Sequence, residues 1–357
     1  MKIAYHFPSL HTIYAQRTVY NGYKHAFRDL GHDFYTFSAG ETLDAFLERH
    51  EPHIFITGSH FFYQKYLDYR TLNRYRVNNG LVVFVKIDFW KSPLSRFRIN
   101  EAQSLRDDRK SVRLIKDGMM GDLFFHVVEQ DDERMDGFQK ETGYPFHTIP
   151  LAADKTVLKG CFEKKFEADI SFIGTNLPDK RAFFREYVFP LRQQYRLALY
   201  GQDWSRRDQV VGWFQRAGQF FNIPLLRSLQ KPKLQLDDEA KIYRSSLISI
   251  NVHEQYQRQF GGDCNERTFK IPLCDGFEIT DNVRCIASYF KEGEEIVIAK
   301  SKDEWFEQIR YYIRNPERRE PIIAAGKRNV LQNHTYHNRA RQMLQLYQDS
   351  LSGTKAV

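Results

Sequence analysis

Short apolar runs alternate along the first half of the chain with segments whose apolar residues recur at helical spacing. From Tyr20 to Leu30 the large apolar residues return every three or four positions up to Gly31, which predicts a helix ending at the glycine. The apolar runs have the length of strands: "KIAYHF" (2–7), "DFYTFS" (33–38), "HIFITG" (53–58) and "LVVFVKI" (81–87). Strands separated by helices of this length require right-handed crossovers, so we predict a parallel, Rossmann-like sheet.

The same alternation continues past a polar interval at 91–121 and restarts after a charged segment near residue 159. The later strand-like runs are "DLFFHVV" (122–128), "HTIPLAAD" (147–154), "ADISFIG" (168–174), "YRLALYG" (195–201), "SLISINV" (246–252) and "EEIVIA" (294–299). Helices are predicted to begin near Asp179, Asn265, Lys302, Pro316 and Thr335. We therefore predict an N-terminal domain at 1–158, a second Rossmann-like domain at 159–334 and a C-terminal helix at 335–357.

Composition is consistent with two globular domains. The chain has 357 residues, of which 42% are hydrophobic and 15% aromatic, enough to fill more than one core. No apolar run approaches the roughly 18–20 residues that span a bilayer, and His6 and Pro8 interrupt the first residues, so we expect a cytoplasmic protein. The four cysteines form no CxxC pair, which predicts buried thiols rather than disulfides or a zinc site.

The formal net charge of +8 favours anionic partners. Charge alone does not choose between phosphorylated small molecules, membrane headgroups and nucleic acid. Because the sequence contains no recognised nucleic-acid-binding motif, we expect no nucleic-acid partner.

A glycine and two basic residues follow the run at 168–174. Gly174 ends the run, and Lys180 with Arg181 opens the next helix in "SFIGTNLPDKR". In doubly wound sheets, ligands gather beyond the carboxyl ends of the strands, where helix N-termini present N–H groups to anions. The chain has neither GxGxxG nor GxxxxGK[ST], so the pattern indicates either a phosphate site or a solvated pair of cations.

A second group of candidate residues follows the run at 246–252. The strand is expected to end at Asn251–His253, and Asn265 is placed to cap a helix that carries Arg267 and Lys270 on one face. Two cations near the start of a helix oppose its macrodipole unless an anion binds there. The alternative is that the nearby acidic residues Asp263 and Glu266 neutralise them.

The stretch "NERTFKIPLCDGFEITDN" (265–282) reads as a helix followed by the end of a buried strand. Together with "IPLAAD", "SFIGT", "GEEIV" and "NPERREPIIAAGKRNVLQNHTYHNR", it resembles group 1 glycosyltransferases of the GT-B fold, particularly the spore-maturation-protein-like branch. The resemblance spans roughly Asp122 to Arg341. It implies an α/β architecture with two Rossmann-like domains that face a cleft, an N-terminal acceptor domain, a C-terminal donor domain and a last helix crossing back.

The resemblance also implies metal-independent transfer of a sugar from an activated donor without a cofactor, and retention of anomeric configuration. The sequence contains no D-x-D motif of the kind that GT-A enzymes use to hold a metal. Many group 1 enzymes carry two glutamates eight positions apart, and the second holds the nucleotide ribose. Counted from Cys274, these positions are Gly262 and Lys270 here.

Lys270 changes the chemistry of that position, because lysine donates hydrogen bonds where a carboxylate accepts them. Either the donor is held differently, through Glu266 for example, or Lys270 meets a phosphate of a donor with more negative charge. Loss of activity is the third interpretation, and it makes a non-catalytic GT-B scaffold or sugar-binding protein the alternative function.

Two further features bear on the acceptor. Asp88 follows the run at 81–87, where GT-B enzymes often place a catalytically relevant polar residue; it could deprotonate an acceptor hydroxyl or simply pair with Lys86 or Lys91. The segment 204–233 mixes basic residues with large apolar ones. It is either a helical insertion packed on its own domain or a peripheral contact with the anionic inner face of a membrane that carries a lipid-linked acceptor.

The sequence thus predicts a glycosyltransferase that moves a sugar from a nucleotide or phosphorylated donor to a glycan, lipid-linked or protein acceptor. Asp88 is the catalytic candidate, and no metal ligands are expected. The donor-binding candidates are Gly174, Thr175, Lys180, Arg181, Asn251, His253, Asn265, Glu266, Arg267, Thr268 and Lys270.

Overall fold

The computed structural model describes residues 1–7, 14–38, 40–90, 110–221, 223–229 and 234–352. These residues form two compact units. The first unit comprises the described residues of Met1–Leu10, Tyr23–Pro150 and Arg339–Val357. The second comprises those of His11–Gly22 and Leu151–Asn338. Most of the polar interval at 91–121, including Lys91, and the end of the basic segment at 230–233 lie outside the described residues.

A parallel sheet of six strands lies at the centre of the first unit, in the order β2-β1-β3-β4-β5-β6. The strands are β1 (Lys2–His6), β2 (Asp33–Phe37), β3 (Ile54–Gly58), β4 (Val82–Lys86), β5 (Leu123–His126) and β6 (Phe146–Thr148). The helices are Leu43–His50, Phe61–Gln64, Tyr69–Asn79, 110–116, Phe138–Thr142 and the short turn Glu133–Met135. The unit also includes parts of two longer helices, Tyr14–Asp29 and Tyr336–Leu351.

The second unit contains a parallel sheet of five strands in the order β11-β10-β9-β7-β8. The strands are β7 (Ala168–Ile173), β8 (Leu197–Tyr200), β9 (Ser246–Asn251), β10 (Glu278–Asp281) and β11 (Val297–Ala299). The helices are Arg206–Phe220, Pro224–Arg227, Leu236–Ser245, Gln255–Phe260, Arg267–Leu273, Ile286–Tyr289, Lys302–Arg314 and Arg319–Asn333. Shorter turns lie at Lys164–Phe166 and Pro316–Arg318, and an irregular helical stretch runs from Pro178 to Gln193.

Both sheets are buried on their two faces, which explains why their strands read as nearly continuous apolar runs. In β4 four of the five residues are buried, and Val83, Phe84 and Val85 have no exposed surface. In the second unit, Ile170 and Phe172 of β7 and Ile248 of β9 pack in one cluster with Trp305 of the helix Lys302–Arg314. The alternation of strands and covering helices therefore gives the α/β class expected from the sequence.

The predicted elements agree with the structure in type and order, and the differences lie at their ends. The run at 147–154 contributes only His147 and Thr148, which with Phe146 form the edge strand β6, because the pairing ends with β5 at His126. The helix Tyr69–Asn79 begins after Asp68, whose carboxylate accepts from the Arg70 backbone N–H. No helix among the described residues is long and apolar enough to cross a membrane.

Candidate functional site

The site in the second unit lies where the strand order reverses. β7 is followed along the chain by β8 on one side, and β9 then returns to the other side of β7. Because the three central strands β7, β9 and β10 are parallel, the residues that follow them meet at one edge. These residues are Gly174 after β7, Val252 and His253 after β9, and Asp281 at the end of β10. In open α/β sheets such a switch point is where ligands bind.

Arg267, the first residue of the helix Arg267–Leu273, holds its guanidinium across this edge. Its Nε donates to Asn251 Oδ1 at 3.0 Å, and its Nη1 and Nη2 donate to the carbonyls of Ile173 at 3.3 Å and Val252 at 2.8 Å. The group also lies over the Phe172 ring, 5.2 Å from its centroid. Arg267 is half-buried, and these contacts use three of its five N–H donors. Among the residues that the structure describes, the guanidinium is therefore fixed in place with two N–H groups available to a bound anion.

Asn251 is the residue that orients Arg267. Its Oδ1 accepts from Arg267 and from Asn265 Nδ2 at 2.9 Å, while its Nδ2 donates to Glu278 Oε1 at 2.8 Å and Thr268 Oγ1 at 3.1 Å. Asn265 also accepts from the Arg267 backbone N–H at 3.0 Å, so it satisfies a donor at the helix start as expected. The fully buried amide thus has every polar atom engaged, which holds it in one orientation.

Glu278 accepts a hydrogen bond from the side-chain amide of Asn251. Burial raises the pKa of Glu278 to about 8, although the hydrogen bond from Asn251 opposes the shift. Its Oε2 is buried and has no hydrogen-bond partner among the described residues. A neutral carboxyl at this point avoids placing a second buried negative charge near Asp281.

His253 and Asp281 form a buried pair beside Arg267. Asp281 Oδ1 lies 2.6 Å from His253 Nδ1, and both carboxylate oxygens accept from the His253 backbone N–H at 3.1 Å. Arg258 Nη1 donates to Asp281 Oδ2 at 3.1 Å and to the His253 carbonyl at 2.6 Å. Burial lowers the pKa of His253 despite the adjacent carboxylate, so the ring is neutral at pH 7. The far nitrogen, Nε2, lies 3.3 Å from Thr268 Oγ1.

The turn after β7 brings two backbones together. The φ of Gly201 is +113°, and a Cβ at Gly201 would overlap the carbonyl oxygen of Gly174. Trp204 Nε1 donates to the same carbonyl at 3.0 Å. A Cβ at Gly174 would lie 3.1 Å from Arg267 Nη1. Glycine at 174 therefore leaves the space that the guanidinium needs.

The other candidates near this turn take different positions. Lys180 is buried and its Nζ lies 3.4 Å from the Val252 carbonyl, the same carbonyl that Arg267 contacts. Arg181 and Thr175 are half-buried. The Thr175 carbonyl accepts from Leu177 N–H at 2.9 Å as the chain turns into the irregular helix. Lys180 and Arg267 thus bring two cations to one side of the sheet edge.

Lys270 contacts a separate set of residues. Its Nζ lies 3.3 Å from Glu239 Oε2 and 3.2 Å from Glu266 Oε2, and all three side chains are buried. Glu266 also accepts from Thr18 Oγ1 at 2.7 Å and from Tyr336 OH at 2.6 Å. The structure therefore gives Arg267 and Lys270 different partners, the sheet edge for Arg267 and two carboxylates for Lys270, and for Lys270 it agrees with the alternative that Glu266 neutralises it.

Sequence reasoning missed three residues of this site, namely Arg258, Glu278 and Asp281. The signal was present for the two acids, since "EITD" places them at both ends of a strand that is otherwise buried. An acidic residue in a buried strand needs a partner, and Asn251 and His253 supply them. For Arg258 the sequence offers no comparable signal.

Asp88 is part of a separate cluster in the first unit. It follows β4, is half-buried, and its backbone N–H donates to Ser59 Oγ at 3.0 Å. Burial and the charge of Asp88 raise the pKa of Tyr63 to about 12. His6, at the end of β1, packs against the Tyr63 ring with centroids 5.3 Å apart, and burial lowers its pKa to about 3. Its Nδ1 lies 2.9 Å from Thr57 Oγ1.

The two-unit arrangement of parallel sheets occurs in many solved structures. Sucrose-phosphate synthase of Thermosynechococcus elongatus is similar with a TM-score of 0.62 at 11% identity, over 99% of each chain. An alpha-glucosyltransferase in complex with UDP has a TM-score of 0.63 at 11% identity, over 98% of this chain and 100% of that one. The fold is GT-B. HepE of Anabaena in complex with UDP and glucose is a further GT-B neighbour, with a TM-score of 0.58 at 12% identity over 98% and 100% of the two chains.

Most of the second unit also resembles a known protein family in its amino-acid sequence. A family model described as "Glycosyl transferase-like" matches residues 180–345, a range that includes Arg267 and most of its partners. No curated protein matches the chain. In fold and in the sequence of its second unit, the chain therefore resembles GT-B glycosyltransferases.

Proposed function

We propose that this protein is a glycosyltransferase that takes a sugar from a nucleotide-sugar donor held at the carboxyl edge of β7, β9 and β10. The fold and the family match over residues 180–345 support the class of reaction. GT-B neighbours in complex with UDP, or with UDP and glucose, support a nucleotide donor. We divide the chain functionally into an acceptor domain at 1–158, a donor domain at 159–334 and a closing helix at 335–357.

The observation that carries the proposal is the fixed, half-buried guanidinium of Arg267 at the switch point of the second sheet. A guanidinium held by three contacts with two donors left is organised to bind a diphosphate, and little side-chain entropy is lost when the ligand arrives. Lys180 adds a second positive charge close by. Arg181, Thr175 and Gly174 border the same turn, and we include them in the donor site.

Transfer requires stabilisation of the negative charge that develops on the departing diphosphate. Cations and N–H groups already held in position supply this stabilisation without reorganising during the reaction. Arg267 and Lys180 are such groups here, so we propose a reaction that needs no metal ion. The neutral imidazole of His253, fixed by Asp281, orients the Thr268 hydroxyl beside Arg267.

On the acceptor side we propose that Asp88 accepts the proton of the attacking hydroxyl. The Ser59 hydroxyl accepts from the backbone N–H of Asp88 and so helps to position the residue, which is half-buried. The acceptor class we propose is a glycan, a lipid-linked sugar or a protein, in a cytoplasmic protein. By its motifs we assign the chain to the spore-maturation-protein-like branch, with retention of anomeric configuration.

The second candidate function is a GT-B scaffold that binds sugars without transferring them. Lys270 favours it, because this position lacks the carboxylate that accepts from a ribose in many relatives and is instead neutralised by Glu239 and Glu266. The two candidates differ in one outcome, since both bind a ligand but only the enzyme releases a nucleoside diphosphate from the donor.

A ligand screen followed by a turnover assay tests the proposal. We expect UDP or another nucleoside diphosphate, and its sugar conjugate, to raise the melting temperature, because a ligand at about 100 times its Kd stabilises the native state by about 2.7 kcal/mol. The stabilising nucleotide sugar is then incubated with candidate acceptors, and release of the nucleoside diphosphate is measured. Binding without release favours the scaffold, and the absence of any nucleotide-dependent shift contradicts both the donor site and the proposed reaction.

A further inference from the structure

The connection between β8 and β9 carries a helix whose apolar side faces solvent. In the helix Arg206–Phe220, Val210, Trp213 and Phe214 are exposed, with 61% of the Trp213 surface accessible. The residues on the opposite side, Gly212, Gln215 and Gly218, are buried. This pattern is the reverse of an ordinary surface helix, which turns its apolar stripe inward.

The buried side of this helix is fixed by polar and close backbone contacts. Arg216 Nη1 donates to the buried Asp203 carboxylate at 2.7 Å, and Gln209 Nε2 donates to the Asp203 carbonyl at 3.0 Å. Gly212 packs against the same aspartate. Trp204 anchors the base of the segment through ring contacts with Phe172 and Phe184 of the core. These contacts on the buried side hold the helix Arg206–Phe220 with its apolar side toward solvent.

The exposed apolar surface continues onto the short helix Pro224–Arg227. Gly218 allows the two helices to pack closely, because a Cβ there would lie 2.5 Å from Leu226 Cβ. Of the thirteen large hydrophobic side chains that are exposed among the described residues, seven lie between positions 210 and 229. They are Val210, Trp213, Phe214, Phe221, Ile223, Leu225 and Leu229. A concentration of this kind marks an interaction surface.

The charges around this surface select its partner. In sequence, residues 204–233 contain four arginines and two lysines against one aspartate, Asp208; Arg216 is already paired with Asp203 on the buried side of the helix. Arg206 and Arg207 are exposed at the start of the helix that carries Val210, Trp213 and Phe214. A second copy of the chain would bring like charges together, which is unfavourable. An anionic bilayer complements both properties, since arginines meet its headgroups while tryptophan and phenylalanine enter the interface.

We propose that the exposed face formed by residues 206–221 and 223–229 docks the protein on an anionic membrane surface. The face is built by the second unit alone and the proposal does not depend on the proposed sugar transfer, but it fits a lipid-linked acceptor. The mode is interfacial, with apolar side chains entering the headgroup region and arginines remaining at the level of the phosphates.

Sedimentation of the full chain with vesicles tests the proposal. We expect binding to phosphatidylcholine vesicles that contain phosphatidylglycerol, little binding to phosphatidylcholine alone, and weaker binding as salt increases. Arg206→Gln with Arg207→Gln should weaken binding on the order of 25-fold, at about fivefold for each charge near the surface. Trp213→Ser with Phe214→Ser should abolish it, whereas Val77→Ser, a change of an exposed apolar residue elsewhere, should leave it intact.

Fluorescence adds a direct readout of insertion. The emission of the wild type should shift to the blue with anionic vesicles, while Trp213→Phe should bind vesicles equally well without that shift. Nucleotide binding should be unchanged in all these variants, which separates this proposal from the donor site. No binding of wild type to anionic vesicles would overturn it, as would equal binding by Trp213→Ser with Phe214→Ser. Self-association of the wild type that both double variants abolish would assign the face to a second copy instead.

Discussion

Lys270 Nζ lies 3.3 Å from Glu239 Oε2 inside the second unit, and only 6% and 4% of the two side chains are exposed. Glu266, four residues before Lys270, completes a group of one cation and two carboxylates. The lysine therefore compensates buried negative charge, and the position no longer offers a carboxylate to a ribose. Two buried carboxylates depend on its charge, so substitution of Lys270 tests how the helix Arg267–Leu273 is held.

We expect Lys270→Glu to destabilise the protein by about 3 kcal/mol or more, because it leaves three carboxylates buried without a cation. Urea denaturation measures the change. Lys327→Glu is the matched control, since Lys327 forms a partly exposed ion pair with Asp275. Replacing this lysine by a carboxylate should lower the free energy of unfolding by about 1 kcal/mol or less. A Lys270→Glu variant of unchanged stability that binds nucleotide more tightly than the wild type would instead indicate a restored ribose contact.

Lys270→Gln distinguishes the two remaining interpretations of the lysine. It removes the charge but keeps a hydrogen-bond donor, so nucleotide binding should be retained if Lys270 only compensates Glu239 and Glu266. A selective loss of affinity for donors that carry an additional phosphate, with UDP affinity unchanged, would place Lys270 against that phosphate. Titration of the folded variant with both kinds of donor gives the comparison.

Glu278 should make stability depend on pH. Burial raises its pKa from 4.5 to about 8, so between these pH values the folded protein binds more protons than the unfolded chain. The free energy of unfolding should therefore fall as pH rises through this window and change no further above it. Glu278→Gln keeps an acceptor for Asn251 and removes the titration, so its advantage over wild type should grow with pH to on the order of 2–4 kcal/mol.

Denaturation series at several pH values measure this effect of Glu278. Glu294→Gln, a change of an exposed carboxylate, should follow the wild-type profile. Parallel profiles for Glu278→Gln and the wild type would mean that Glu278 ionises normally in the folded state.

Gly174→Ala should damage the donor site through the position of Arg267. The new Cβ would lie 2.9 Å from Phe172 Cζ and 3.1 Å from Arg267 Nη1, so the ring or the guanidinium must move. We expect a loss of stability of about 1–3 kcal/mol and weaker nucleotide binding. At Gly40 an added Cβ meets nothing within 4 Å, so Gly40→Ala should leave both properties unchanged. Equal behaviour of the two variants would show that Gly174 does not limit Arg267.

Asp88→Asn should lower the turnover number about 100-fold or more and leave nucleotide affinity unchanged, because a general base acts on the acceptor and not on donor binding. Ser59→Ala, which removes the hydroxyl that accepts from the Asp88 backbone, should have a smaller effect of the same kind. Steady-state kinetics and donor titration on both variants provide the measurements. Full turnover by Asp88→Asn would remove this residue from catalysis.

The fold could be predicted from the sequence because strand length, helical spacing and chain order are local properties. "SLISINV" and "LVVFVKI" are mostly apolar because both faces of each sheet are covered, and such runs can be recognised in the sequence alone. The short edge strand β6 shows the limit, because its end depends on pairing with β5.

The candidate site was only partly predictable. Arg267, Asn251 and Asn265 could be selected because a strand end and a helix start are recognisable in sequence. Glu266 was already an alternative partner of Lys270 in the sequence, and the structure pairs the two. Glu239 could not be selected, since it lies 31 residues before Lys270, and neither could Thr18, which lies 248 residues before Glu266. Helical spacing places Arg267 and Lys270 on neighbouring positions but does not say that one side chain extends to the sheet edge and the other to a buried pair of carboxylates.

The most direct test is calorimetric titration of the nucleotide selected by the ligand screen into wild type, Arg267→Ala and Arg319→Ala. Arg319 also donates to a carbonyl of the second sheet, that of Leu247, but at the opposite end of β9. We expect Arg267→Ala to lose about 1.5–3 kcal/mol of binding free energy, roughly 10-fold to 150-fold in Kd, since a charge-assisted contact to phosphate is removed. Arg319→Ala should bind like the wild type. Wild-type affinity in a folded Arg267→Ala variant would contradict a donor site at the carboxyl edge of β7, β9 and β10.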